Sequence, residues 1–156
     1  MPHETPAFDW TVRPARLADL PGAARLAAEL VRLHHRYDPL RFMLIEPIEE
    51  GYEHFLRTQI DREDVVFMVA VTAGNGRDAV IGYAFASLEE RDWSDLRDAC
   101  GKIHDVYVDE SARGHGVATR LVGETIARLG AKGAPRVVLM AAWQNDGARE
   151  LFAKLG

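Results

Sequence analysis

A strand that enters a glycine-rich loop, continues as a helix and returns as a second strand leaves few folds open, and residues 103–142 read in that order. Ile103, Val106, Tyr107 and Val108 are β-branched or aromatic, which suits a strand. Gly114 and Gly116 punctuate the loop over residues 111–116. Ala118, Leu121, Val122, Ile126 and Leu129 then recur at helical spacing over residues 117–129, and Gly130 and Gly133 end the helix. The apolar run over residues 137–142 is the returning strand. A strand–helix–strand crossover implies a parallel pair.

The rest of the chain alternates in the same manner. Residues 11–13 read as a short first strand closed by Pro14. Asp19 is placed to N-cap a helix with Pro21 in its first turn, and Ala23, Leu26, Ala27, Leu30 and Leu33 give it an apolar stripe to about His34. Residues 34–42 read as irregular, because Pro39 breaks regular structure. A second helix is expected over residues 47–60, with Ile48, Tyr52, Phe55 and Leu56 on one face. The period then shortens: a strand at Val65–Thr72, a turn at Gly74-Asn75-Gly76 and a strand over residues 79–87 form a hairpin. A charged loop over residues 89–99 contains Trp93, and the last helix is Asp146–Leu155. The class is α/β. With 156 residues and no repeat or linker, the chain reads as a single domain over residues 1–156.

The net charge of −5 gives no general attraction to nucleic acid or to an anionic membrane. A site for an anionic ligand must therefore be built locally. The single cysteine, Cys100, excludes an internal disulfide framework and a four-cysteine zinc site. His34, His35, Cys100 and His104 have no ligand spacing, so no metal site is expected. The first residues show no secretory pattern and the longest apolar runs are strand length, so a reducing cytoplasm is the expected compartment. Sixteen Arg against three Lys hint at a GC-rich bacterial genome.

Arg113-Gly114-His115-Gly116-Val117-Ala118-Thr119 stands between strand and helix. A helix N-terminus offers unpaired N–H groups and partial positive charge, and glycine lets an anion approach the backbone, so the loop suits a phosphate. Gly116 is followed by Val117, not by the Lys-Ser/Thr of a Walker loop. Thr119 fits poorly where a dinucleotide fingerprint wants its third small residue, and the run over residues 137–143 carries no acid. The remaining pattern is Arg/Gln-x-x-Gly-x-Gly/Ala, matched by Arg113, Gly116 and Ala118.

IHDVYVDESARGHGVATRLV (residues 103–122) resembles the central motif of the GCN5-related N-acetyltransferase (GNAT) superfamily. VRPARLADLPGAARLAAEL (residues 12–30) is similar to that family's first strand and helix. WQNDGARELFAKLG (residues 143–156) resembles its closing Asn-x-x-Ala-x-x-x-Tyr-x-x-x-Gly. The resemblance implies a three-layer fold on a mixed, mostly antiparallel sheet, with a parallel pair splayed at an acyl-coenzyme A site. It implies that the main chain of Val106 and Val108 pairs with the pantetheine arm, with the Val106 N–H as oxyanion donor. The amides of Gly114, His115, Gly116, Val117, Ala118 and Thr119 take the pyrophosphate beside Arg113, and Asn145 contacts the pantetheine or thioester. The implied activity is transfer of an acetyl group from acetyl-coenzyme A to a primary amine of a small molecule or protein. A non-catalytic acyl-coenzyme A sensor is the alternative.

An alkylamine of pKa about 10.4 is almost wholly protonated at neutral pH, so attack on a thioester needs a base or a water chain. His104 is the first candidate, in a context similar to the Leu-His-x-Leu-x-Val of the family's arylalkylamine branch and the Ile-Glu-Asp-Ile-x-Val of its glucosamine-phosphate branch. With His104 as the base, the rate should rise through a neutral to mildly alkaline pKa. Glu89 or Glu90 could act through water, whereas strand alternation turns Asp105 to the other face. The family's tyrosine acid falls on Phe152, which keeps a packing role at the cofactor site. Tyr83 or Tyr107 then supplies the proton, or the thiolate leaves unaided. The acceptor pocket is expected between residues 36–42, Tyr52 and the acidic loop over residues 89–98, which would favour a cationic amine. The family normally adds two strands after Gly156. The expectations are a chain that continues, a homodimer through the outer edge of the strand at residues 137–142, or a cap made by residues 1–10.

Overall fold

The computed structural model describes residues 8–73 and 78–156, which form one five-stranded sheet in the order β1-β2-β3-β4-β5. The elements are β1 (Trp10–Pro14), α1 (Leu20–Tyr37), α2 (Ile48–Gln59), β2 (Val65–Thr72), β3 (Ala79–Glu89), β4 (Cys100–Val108), α3 (Val117–Ala131), β5 (Val137–Leu139) and α4 (Asp146–Leu155). Neighbouring strands from β1 to β4 are antiparallel, and β4 and β5 are parallel. This is the mixed α/β fold expected from the sequence. The turn at Gly74-Asn75-Gly76 lies outside the described residues.

The sheet is covered on both faces, which is why β2 is apolar at successive positions rather than at alternate ones. Val65, Phe67, Val69 and Val71 face one way with Tyr83 and Phe85, against Leu20, Leu26 and Leu30 of α1 and Leu56 of α2. Val66, Met68 and Ala70 face the other way with Ala84 and Ala86, against Leu121, Val122 and Leu129 of α3. Phe152 of α4 packs on this second cluster.

Several boundaries differ from the sequence reading. α1 continues to Tyr37, so His34 and His35 belong to its last turn and not to the following loop. The helix stops one residue before the position Pro39 restricts: Asp38 is extended at φ −153°, as a residue preceding proline prefers. Asp19 does not cap α1; a short 3-10 turn at Leu17–Asp19 precedes the helix. β3 runs on through Glu89, which pairs with Cys100, so β4 starts earlier than expected. β5 is only Val137–Leu139, and residues 140–142 leave the sheet. α3 passes Gly130 and reaches Ala131. Trp10 lies in β1 on the sheet edge opposite β5, so it is no cap for β5, and residues 1–7 lie outside the described residues. Among the described residues, no strand pairs with the outer edge of β5.

The carboxylate of Asp19 is buried and accepts from both guanidinium nitrogens of Arg13 on β1, at 2.7 and 3.0 Å, and from the Arg16 N–H at 2.7 Å. This pair ties the first strand to the first helix. Burial pushes the Asp19 pKa up, but the Arg13 fork and the Arg16 N–H outweigh it and hold the carboxyl below its ordinary value. A depressed carboxyl stabilises the fold above its unfolded pKa of about 3.9, and the contribution is lost as pH falls through the lower folded value. Arg13→Ala leaves that charge buried and unpaired, and should cost about 3 kcal/mol in urea unfolding at pH 7. The loss should shrink on acidification; a deficit that stayed constant down to pH 2 would refute the pairing as its cause.

Candidate active site

β3 and β4 pair residue for residue from Gly82↔Val108 to Phe85↔Asp105, and the next pair is Ala86↔Ile103. His104 has no counterpart on β3, so β4 carries a bulge there. The bulge changes which way side chains point. Ile103 and Val106 pack in the α3 layer. The next two side chains share the opposite face: Asp105 accepts from Tyr52 of α2 at 2.5 Å and from Tyr83 at 3.2 Å, and the His104 ring lies 5.6 Å from that of Phe85. Alternation would have separated His104 from Asp105, and that expectation is corrected.

The bulge also re-aims the main chain. The Gly101 N–H donates to Arg136 O on the β5 side at 2.8 Å, and the Asp109 N–H donates to Ile81 O of β3 at 2.8 Å. Their separation is an even number of residues, so in a regular strand both would point the same way. The inserted residue reverses the parity and turns the main chain of Val106 and Val108 away from β3. On that side β5 has already gone, because its pairing ends at Ile103↔Leu139. The parallel pair is therefore splayed where Val106 lies.

A cleft of about 290 Å³ fills the splay. His104, Asp105 and Val106 form its floor, Leu30, His34 and Phe42 one wall, and Met140, Asn145 and Phe152 the other. A second cavity of about 340 Å³ under α2 shares Tyr52, His104 and Asp105 and adds Ser87 and Glu89. His104 and Asp105 thus stand where the two cavities meet. The Asn145 side chain lines the cleft and also caps α4, accepting from the Ala148 N–H at 3.1 Å.

At the head of α3, Gly114 and Gly116 have φ of 82° and 78°, conformations that glycine adopts without strain. Val108, Arg113, Gly114, Gly116, Val117, Ala118 and Thr119 line a hollow there of about 260 Å³. Among the described residues no acceptor takes the N–H groups of Gly114, His115, Gly116, Val117, Ala118 or Thr119, so they remain available to an anion. The His115 ring is turned aside: its Nδ1 bonds to the Arg113 carbonyl at 3.1 Å, and it packs on Phe8 at 4.5 Å. Arg113 is committed as well. Its Nε donates to Val108 O at 3.1 Å and its guanidinium sits 5.3 Å from the Tyr107 ring. One of the main-chain acceptors expected to face a ligand is thereby occupied.

The structure brings His104 and Glu89 together. Ser87 Oγ lies 2.7 Å from His104 Nε2 and donates to Glu89 at 2.8 Å, and Glu89 is 3.2 Å from the same Nε2. With Ser87 donating to the carboxylate, the His104 Nε2–H is the donor to Ser87 Oγ and Glu89, and the lone pair of the neutral ring stands on Nδ1. Burial pushes the His104 pKa below the ordinary imidazole value of 6.5, and Glu89 opposes the shift without reversing it. The His104 side chain keeps 30% of its surface accessible, so solvent can carry protons to and from it. Glu90 is exposed and lines neither cavity. Tyr83 is fully buried, with its pKa raised by burial and by the Asp105 charge. Tyr107 lies on the α1 side, donating to Glu29 at 3.0 Å, and does not line the cleft. Burial and then the Glu29 bond raise its pKa. Of the acidic loop, only Glu89 reaches a cavity: Asp92 takes the N–H groups of Ser94 and Asp95, and Asp98 is paired with Arg91.

The sequence matches the acetyltransferase (GNAT) family over residues 28–156. The chain belongs to that family. Solved structures superpose on this GNAT chain over nearly its full length. A mutant of the BH1408 protein from Bacillus halodurans has a TM-score of 0.77 at 21% identity, covering 94% of this chain and 91% of its own. The aminoglycoside N-acetyltransferase AAC(6')-Iy in complex with CoA gives 0.69 at 17%, covering 95% and 87%. Glucosamine-6-phosphate N-acetyltransferase from Arabidopsis thaliana gives 0.63 at 17%, covering 91% and 88%. At these identities the likeness establishes the GNAT fold. No curated protein sequence matches significantly. Among the described residues no group of His, Cys, Asp or Glu is placed to hold a metal ion, and no helix is long and apolar enough to cross a membrane.

Asp105 and Ser87 are the site residues that sequence reasoning missed. A bulge has no composition of its own, and Ser87 reads as the end of an apolar strand. Because the Glu89 charge favours the imidazolium, Glu89→Gln should lower the His104 pKa further. An NMR titration of the imidazole carbon-bound protons reads this directly, and an upward shift would overturn the assigned contact.

Proposed function

We propose that this GNAT chain is an acetyl-coenzyme A-dependent N-acetyltransferase in which a primary amine attacks the thioester directly and His104 is the base. The observation that carries the reading is the bulge, which puts the His104 side chain on the cavity face and the Val106 N–H in the splay. The free amides from Gly114 to Thr119 support the pyrophosphate site, since six N–H groups converge there without protein acceptors among the described residues.

Neutral His104 takes a proton from the incoming ammonium, directly or through one water, and Glu89 stabilises the imidazolium that results. The freed nitrogen lone pair adds to the thioester carbonyl carbon. The Val106 N–H donates to the carbonyl oxygen as negative charge builds on it. The carbon–sulfur bond then breaks and its electron pair leaves on sulfur, while the second proton shed by the attacking nitrogen passes through water to the thiolate and the imidazolium returns its own proton to solvent. No tyrosine is needed for that last step, because a thiolate is a good leaving group near neutral pH. Phe152 at the cleft wall is consistent with departure unaided. It is also the feature a binding-only module would share, and thiol release with an amine separates the two readings.

His104→Ala should lower kcat about 100-fold with little change in acetyl-coenzyme A affinity. Because burial holds the His104 pKa below 6.5, the acid limb of the kcat profile should lie below the ordinary histidine range. The limb is placed lower than the unperturbed residue would place it. Near-normal turnover in the variant would move the role to Glu89 acting through water.

Acetyl-coenzyme A should raise the melting temperature of the wild type by binding the folded state alone. Gly116→Val forces a branched residue to φ 78° at the head of α3 and should abolish the shift. Arg113→Ala should reduce it only in part, since Arg113 is tied to Val108 O. A full shift in the Gly116→Val protein would overturn the pyrophosphate site.

A further inference from the structure

The cleft wall is unusual in its charge. Leu30, Val31, Phe42 and Met43 make an apolar side to it, and Asp105 is the only carboxylate among the residues that line it. Both tyrosyl hydroxyls that reach Asp105 bond to the same oxygen, Oδ2. Oδ1 has no partner among the described residues, and because no buried side-chain oxygen or nitrogen there lacks a partner, Oδ1 is accessible, on a residue that lines both cavities. Tyr52 and Tyr83 thus hold the carboxylate in one orientation and leave half of it unused. Arg41 lines the same cleft, and its guanidinium lies 5.0 Å from the Phe42 ring. The adjoining cavity offers no free carboxylate to a second ammonium. Asp64 is paired with Arg62 at 2.7 Å, and Glu89 is held by Ser87 and His104.

Resting on the transferase reading above, we propose that the acceptor is a monoamine with an apolar body, anchored as its ammonium ion on Asp105 Oδ1, and that Arg41 discriminates against polycations. One ammonium group satisfies one half-used carboxylate, and the Leu30–Phe42 wall takes the hydrocarbon or aryl portion away from water. The anchored ammonium stands beside His104, because the bulge places the two side chains consecutively on one face. Asp105 is thus the residue that binds the substrate as its cation, and His104 the one that removes the proton. A polyamine or aminosugar antibiotic would bring several ammonium groups to a cleft with one carboxylate and one fixed positive charge. Like charges brought together in this way are a penalty that apolar contact does not offset.

The test is thiol release from acetyl-coenzyme A with two sets of amines: 2-phenylethylamine and hexylamine against spermidine and kanamycin. The monoamines should have kcat/KM at least about 10-fold higher. Asp105→Asn keeps the shape and an acceptor oxygen but removes the charge, and should raise the KM for hexylamine about 10- to 100-fold with a smaller change in kcat. An unchanged melting shift with acetyl-coenzyme A certifies that this variant is folded. Arg41→Glu should narrow the ratio of kcat/KM between hexylamine and spermidine several-fold. Preference for the polycations, or an Asp105→Asn protein whose KM for hexylamine stays within twofold of wild type, overturns the proposal and leaves the transferase reading standing. If no amine of either set releases thiol although acetyl-coenzyme A still raises the melting temperature, the transferase reading falls and takes the proposal with it.

Discussion

A β-strand has one period for its side chains and one for its main-chain groups, and the two are locked together. In β4 that lock would give a choice between aiming a side chain at the cavity and aiming the backbone at the splay. The extra residue at His104 releases it. Before the bulge β4 is an ordinary sheet strand, with Gly101 and Ile103 paired to β5. Beyond it the strand keeps its apolar side chains on α3 while its outward main-chain groups face open space, except Val108 O, which Arg113 takes. The same insertion sets His104 and Asp105 side by side. His104, Asp105 and the Val106 N–H, which we propose as base, anchor and donor, are consecutive along a strand with a single irregularity.

The surrounding elements hold that irregularity in place. Tyr52 reaches Asp105 from α2 and Tyr83 reaches it from β3, so helix and sheet grip the bulge from two directions. Ser87 and Glu89, on the far end of β3, hold His104. β3 extends to Glu89 because Cys100 pairs with it. The boundary shift that seemed a detail of strand length is what makes Glu89 a fixed neighbour of His104 and not a loop charge.

The order of elements, the crossover and the glycine loop were legible in the sequence, because each rests on periodicity or on glycine chemistry. The two-faced burial of β2 was legible too, as an apolar run without alternation. What was not legible depended on pairing between distant strands. Asp105 looked as though it faced away because the period of two was carried through a position where the fold breaks it. Asp19 has the chemistry of a cap and stands before a helix, yet a guanidinium from β1 outcompetes the helix for its oxygens. His34 and His35 looked like loop residues because polar and aromatic side chains carry no helical stripe, although Asp38 marks the end of the helix.

The end of α3 that we propose binds an anion has a different kind of dependence on sequence. Arg113 spends its Nε–H on Val108 O, and the proposed attraction there comes chiefly from main-chain amides. Every residue except proline carries an N–H, so substitutions at His115, Val117, Ala118 or Thr119 leave the donors where they are. Only the residues that shape the turn are irreplaceable, and these are the two glycines with positive φ. Such a site can drift widely in its side chains while its chemistry stays constant, much as a key profile survives a change of metal.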